Sequence, residues 1–372
     1  MSATDFGALD IARTRSWAGE IWKTFRDQSF WFANGFIGES QADFNRPIHR
    51  ITELSENGKG GLECVMQLVL DLESDGVAGD NLLAGNEESL QNDAQVIKVD
   101  MIRNGVVSKG EMAEQATVVR FRAEAKERLG FWMPNKLDEL MFLTGSGRAY
   151  TLKTNGAVRG TTQLTQLKFA ADVKAASTNR IKYAGAATSE ATLTASDKMS
   201  WSVIVNARQY AVRNGVRPIR DRGKDYYVMV LSPEQVRDLL LDSTYQTIVS
   251  RAAERGSTNP LFTNAIAVVQ GVVIYEHRKV FNSLGLASGS KWGAGGLVDG
   301  AQALLLGAQA LGFATLGNTF WREKTGETDY GNRPGIGVGR KVGILKPQFK
   351  SPSNDNARED FGVVSVKTAA AL

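Results

Sequence analysis

The sequence predicts an α+β fold, and three observations carry that expectation. Two strand-like runs (residues 62–70 and 94–107) bracket a long acidic excursion, a capping-box signature opens a long amphipathic stretch at Ser108, and a compact strand–helix unit follows residue 196. At 372 residues, 42% apolar and 23% charged, the chain is long enough for two or three cores. One cysteine, Cys64, excludes a disulfide framework and a metal site built on several thiolates, which suits a reducing compartment. Arg13, Arg15, Lys23 and Arg26 interrupt the first thirty residues, so neither a signal peptide nor a membrane anchor is expected.

Residues 1–47 are rich in aromatics, with Trp17, Ile21 and Phe25 at four-residue spacing, and residues 11–25 are expected to form an amphipathic helix that must bury against some surface. After Pro47 the period turns strand-like over residues 48–54. A turn cluster (residues 56–61) precedes the alternating run Cys64, Met66, Leu68, Leu70. Residues 71–93 then carry seven acids and no base, and a second β run returns over residues 94–107. A connection this long between two strands reads as a protruding β arm.

Ser108-Lys109-Gly110-Glu111 has the form of a capping box, with Ser108 and Glu111 satisfying the free N–H groups of a helix start. Apolar residues recur helically from Met112 to Leu143, so a long helix buried over a broad stripe is expected, with a kink or break at Gly130 and Pro134. Residues 145–195 read as loops with short strands. A helix is expected over residues 197–214, a strand over 225–231, and a helix from the Ser232-Pro233-Glu234-Gln235 start to about Gly256. Residues 266–276 read as a strand broken by Gly271 at a bulge, residues 301–315 as tightly packed strand or turn, and residues 361–366 as a final strand.

The net charge of +4 is small, but residues 51–107 hold eleven acids against three bases and the remainder of the chain is basic. Such a chain can attract copies of itself, basic surface to acidic arm, because opposite potentials steer encounter and fix register; a solvated acidic face is the simpler alternative. Signatures of catalysis are missing from the sequence. Both imidazoles, His49 and His277, sit beside an arginine, no phosphate-binding or nucleophile-elbow motif occurs, and the glycines of residues 335–339 lack a dinucleotide-binding context. The acid pairs Glu87-Glu88 and Asp138-Glu139 read as solvated or intersubunit charges rather than an acid–base couple. Arg208, Arg213, Arg217, Arg220, Arg222 and Lys224 form a candidate basic interface cluster, diluted by Asp221 and Asp225 and without the stacking aromatics of a nucleic-acid reader.

Several stretches together resemble a known family. They are Ser74-Asp75-Gly76-Val77-Ala78-Gly79-Asp80, then residues 83–90 and Val96-Ile97-Lys98-Val99-Asp100, followed by Thr178-Asn179-Arg180-Ile181, residues 183–185 and 187–191, and Leu193-Thr194-Ala195-Ser196-Asp197. Asp329-Tyr330-Gly331-Asn332-Arg333 and Asp360-Phe361-Gly362-Val363-Val364 complete the set. In order and spacing this pattern, over residues 47–367, resembles the major capsid proteins of tailed phages, of the type found in N4-like podoviruses.

The resemblance implies an HK97-like fold: an N-terminal arm (1–47), an extended loop (62–104), a peripheral domain (48–61, 105–195 and 321–372) with a spine helix over 108–144, and an axial domain (196–320). It implies a structural protein rather than an enzyme, with no cofactor and no metal. Hexamers and pentamers would close into an icosahedral shell around double-stranded DNA, and an encapsulin-like nanocompartment shell of the same fold is the alternative. The implied partners are the chain itself, a portal protein, a scaffolding protein, a decoration or cement protein and non-specifically contacted DNA, with no membrane. Its place is the virion, and the host cytoplasm during assembly. Intersubunit contacts are expected from the loop acids Asp71, Glu73, Asp75, Asp80, Glu87, Glu88 and Asp93, and neutralising Asp75, Asp80, Glu87 and Glu88 together should weaken particles. Residues 60–97 contain no lysine, so no autocatalytic cross-link is expected from the loop.

Overall fold

The computed structural model describes residues 29–40, 42–51, 61–69, 74–89, 92–110, 121–221, 223–253, 266–324, 332–351 and 357–371. The helix expected over residues 11–25 therefore lies outside the described residues. The described chain opens with a single helical turn, Phe30–Ala33, and the short strand β1 (Ile48–Ile51). Strands β2 (Glu63–Val69) and β3 (Asn92–Lys98) form an antiparallel hairpin around the acidic excursion. The expected second β run divides at Val99, which is buried in a small core, and continues as β4 (Asp100–Val107).

The long helix α1 (Phe121–Ser146) buries Ala125, Leu129, Met133, Leu137, Leu140, Met141 and Phe142, a three-to-four-residue stripe that faces the main core. The expected break at Pro134 does not occur. Pro134 lacks the N–H that would reach residue 130, and its ring crowds that same carbonyl; residue 130 is Gly130, whose backbone has the freedom to adjust. The helix ends where Gly147 takes φ +65°, the Gly147 N–H bonding to the Thr144 carbonyl and the Arg148 N–H to that of Leu143, both orphan carbonyls being satisfied. The cap expected at Ser108 is not formed: Gly110 has φ +141°, outside the helical region, and its N–H goes to Ser108 Oγ at 3.3 Å. Glu111 lies outside the described residues.

The next fifty residues are mostly irregular, as expected, with short 3₁₀ turns and strand β5 (Ile181–Tyr183) among them. There follow α2 (Trp201–Arg213), β6 (Ile219–Asp221), β7 (Lys224–Leu231), α3 (Pro233–Leu241) and α4 (Ser243–Ala253). The helix expected as one piece from Pro233 is two, because Asp242 leaves helical geometry and takes the N–H groups of Thr244 and, on α2, of Trp201. The start of α3 is the expected capping box: the Gln235 N–H bonds to Ser232 Oγ and the Ser232 N–H to Gln235 Oε1. Strands β8 (Ala267–Val269) and β9 (Val272–Glu276) make a hairpin rather than one bulged strand, since Gln270 and Gly271 both take positive φ and reverse the chain.

The remaining strands are β10 (Gly300–Leu306), β11 (Leu311–Lys324), β12 (Gly335–Leu345), β13 (Gln348–Ser351), β14 (Ala357–Asp360) and β15 (Val363–Ala369). β13 and β14 pair with each other in a ladder of their own, and two larger sheets organise the rest. One has the order β1-β11-β12-β4 and packs on α1; the other runs β5-β15-β10-β7-β9-β8, with β6 paired to β7. Gln235 ties α3 to the second sheet through the Ala301 carbonyl and Thr368 Oγ1. The expected division of the chain shifts accordingly. β15, expected with the long helix, lies in the second sheet between β5 and β10, whereas residues 311–320, expected with that second group, belong to the sheet that packs on α1. Both exchanges rest on pairing between distant segments, as of β15 with β5, which no local pattern encodes.

Candidate assembly interface

The loop arm begins at a root that is built into the fold. One face of the β2–β3 hairpin carries the cross-strand pairs Cys64/Ile97, Met66/Gln95 and Leu68/Asp93; the other carries Val65/Val96, exposed by 54% and 38%. The inner face closes a small core of Ile51, Ile97, Val99, Ala314 and Leu345 with Met66 against it. Met66 fits because residue 312 is glycine: a Cβ there would lie 3.2 Å from the Met66 sulfur.

Two polar side chains on that inner face brace the hairpin against β13. Asp93 accepts the Lys350 N–H at 2.9 Å and the Arg358 guanidinium at 2.7 Å, and Gln95 exchanges hydrogen bonds with both backbone groups of Gln348, accepting its N–H at 3.0 Å. The side-chain amide of Gln95 thus substitutes for one residue of a neighbouring strand. β13 is itself held by a buried network in which the Asp360 carboxylate receives Lys346 Nζ at 3.0 Å, Gln348 Nε2 at 2.7 Å and the Ser177 N–H at 3.2 Å. Asp93, expected among the acids that reach a neighbour, is therefore buried and spent within its own chain. Its pairing with Arg358 spans 265 residues, which is why composition grouped it with the loop.

The tip behaves differently. Residues 74–89 are exposed, Val77 being half-buried, and include Asp75, Asp80, Glu87 and Glu88 with no base. Their fastening is local: Glu88 accepts the Ser74 N–H at 2.8 Å, Glu87 accepts the Gly85 N–H at 2.7 Å, and the amides of Asn81 and Asn86 donate to the carbonyls of Ala78 and Leu82. Asp71 and Glu73 lie outside the described residues. The basic set is dispersed over two elements. Arg208 is half-buried on α2, Arg213 is exposed at its end, Arg217 donates to Gln309 at 3.0 Å, and Arg220 pairs with Asp225 at 3.3 Å. Lys224 is exposed on the same β6–β7 hairpin as Arg220, and Arg222 lies outside the described residues.

A further anchoring point was not visible in the sequence. Asp138 on α1 accepts Ser29 Oγ at 2.6 Å and the Phe30 N–H at 2.9 Å, so a buried carboxylate on the spine caps the helical turn at which the N-terminal segment enters the body. Burial pushes this carboxyl above the ordinary range, and the bonds from Ser29 and Phe30 oppose that. Around it Phe30, Trp31, Phe36, Phe142, Tyr275 and His277 form one aromatic cluster, with His277 stacked on Phe142 at 4.9 Å. Asp138 and Glu139 are thus neither solvated nor intersubunit charges in this fold: Glu139 binds Lys136 and Arg159, and these cations carry its carboxyl below the ordinary value against the opposing effect of burial. The aromatic richness before Pro47 was the available signal; the partner of Ser29, 109 residues away, was not.

His277 is held neutral, its pKa brought down to about 4 by burial and then by Lys279 and Arg278. Among the described residues no group of three or more His, Cys, Asp or Glu side chains is placed to hold a metal ion, and no helix is long and apolar enough to cross a membrane.

Comparison with known proteins agrees in kind. A family model described as phage capsid protein matches residues 6–372. The chain is 41% identical over 377 residues to the major capsid protein of Pseudomonas phage KPP25, covering 99% of this chain and 98% of that one. Among solved structures, the capsid of Ralstonia phage GP4 superposes with a TM-score of 0.74 at 29% identity, covering 93% of this chain and 92% of that one. The capsid of cyanophage Pam1 does so at 0.70 and 19% identity, covering 93% of each chain. These likenesses leave the nanocompartment alternative without support. The chain belongs to the phage capsid protein family, with the HK97-like fold of tailed-phage major capsid proteins.

Proposed function

We propose that this capsid protein tiles as hexamers and pentamers of an icosahedral shell around double-stranded DNA, each subunit laying its loop arm over the next. The observation that carries the reading is the contrast within one hairpin. Its root is braced to the body by Asp93 and Gln95, whereas its tip holds Asp75, Asp80, Glu87 and Glu88 in solvent on a chain whose remainder is basic. A stiffly rooted acidic arm is what an intersubunit strap requires, because its bearing is set before the partner arrives. Arg213, Arg217, Arg220 and Lys224 supply exposed positive charge that such an arm, or the packaged genome, would meet.

Assembly would take place in the host cytoplasm, with a scaffolding protein guiding curvature, a portal occupying one vertex, and a decoration protein reinforcing the shell. The test is replacement of Asp75, Asp80, Glu87 and Glu88 by their amides, with particle yield and dissociation read by sedimentation. Weakened particles are expected; unchanged yield and stability would remove the loop acids from the interface.

A further inference from the structure

The tip of the arm carries something besides charge. Leu82 and Leu83 sit side by side at 73% and 59% exposure, in the stretch of residues 78–89 that is exposed throughout. They are not there for want of order. Asn86 closes the turn beneath them twice, its N–H bonding to the Leu83 carbonyl at 2.9 Å and its side-chain amide to the Leu82 carbonyl at 2.9 Å. Asn81 donates to the Ala78 carbonyl at 2.8 Å on one side, and Glu87 accepts the Gly85 N–H at 2.7 Å on the other. The peptide is therefore shaped before it meets anything, with two leucines at its apex and carboxylates around them.

We propose that Leu82 and Leu83 are the side chains by which the arm seats on a second copy of this chain, the acids around them steering the approach. The inference rests on the strap reading above and goes further by naming the residues that hold the contact. Interfaces concentrate their binding energy in a few side chains that become fully desolvated, burying exposed leucines is itself favourable, and a charged border sets encounter rate and register. Preorganisation favours the same assignment, since a turn already closed by asparagine amides loses little freedom on docking. The occupant is a second copy because residues 74–89 carry four acids and no base while the whole chain has a net charge of +4, so the remainder of another copy supplies the complementary charge.

The experiment expresses three full-length chains, native, Leu82→Ser with Leu83→Ser, and the four-amide variant, and scores particles by sedimentation and electron microscopy over a salt series. Thermal unfolding of dissociated subunits is measured in parallel. The expected result is at least a tenfold loss of particles for the leucine variant at every salt concentration with unchanged subunit melting, and a loss confined to low salt for the amide variant. Normal assembly of the leucine variant beside a defective amide variant would overturn the anchor and leave the strap intact. Normal assembly of both would overturn the two together. A lowered subunit melting temperature in the leucine variant would place the leucines against their own body and likewise overturn the proposal.

Discussion

Asp93 and Asp80 lie thirteen residues apart on one acidic stretch, yet they belong to different economies of the molecule. At the root, Asp93 is buried and holds Lys350 and Arg358; at the tip, Asp80 is in solvent. A buried acid contributes to the fold, because removing it leaves the donors that converge on it without their acceptor, while an acid in water contributes almost nothing until a partner desolvates it. Acid content alone therefore says little about which carboxylates are available to a neighbour.

Asp360 is the sharpest way to break this contrast from the buried side. Asp360→Ala takes the carboxylate away from Lys346 and Gln348 at a site where the lysine and aspartate side chains are 1% and 0% exposed, and should cost about 3–5 kcal/mol. Chemical denaturation of subunits would read it, and a loss below about 1 kcal/mol would contradict the network.

Acidification sharpens the same comparison through a base. His277 takes its proton near pH 6.5 in the unfolded chain but only at about 4 when folded, so the unfolded state binds more protons between those values. Stability should fall as the pH drops from about 6.5 to about 4, by about 3 kcal/mol at most. Asp138, raised by burial, works in the opposite sense. His277→Phe keeps a ring against Phe142 and should flatten that part of the profile in denaturation curves taken at successive pH values. An unchanged slope would refute the assignment.

Asp93→Ala should cost about 1–3 kcal/mol and act locally, seen as faster amide exchange at Lys350 and along β3 while α1 stays protected. At the tip, the four-amide variant should leave subunit stability within about 0.5 kcal/mol and alter only assembly, most at low salt where charge attraction is least screened. A denaturing gel of mature particles should show the single subunit band, since residues 60–97 carry no lysine to cross-link.

The parts of this fold that sequence reveals are those whose physics is local. The Ser232–Gln235 box, the stripe of α1 and the alternation of β2 were all legible because each is written within a few turns of chain. The acidic tip was legible for the same reason. What escaped was long-range: β15 crossing into the sheet of β10 and β7, Asp138 reaching back to Ser29, and Gln95 imitating a strand for Gln348. At Ser108 the local motif itself misled, since Ser-x-x-Glu also suits the non-helical turn that Gly110 imposes.

The position of β15 bears on how the polypeptide is made. The sheet that packs on α1 has all its described strands once residue 345 has emerged from the ribosome, but in the other sheet the short strand β5 has nothing to join it to β10 until residues 363–369 are free to slot between them. A chain still in synthesis thus holds a gap where its last strand will lie, and finished subunits, rather than nascent ones, are the species fit to join a lattice.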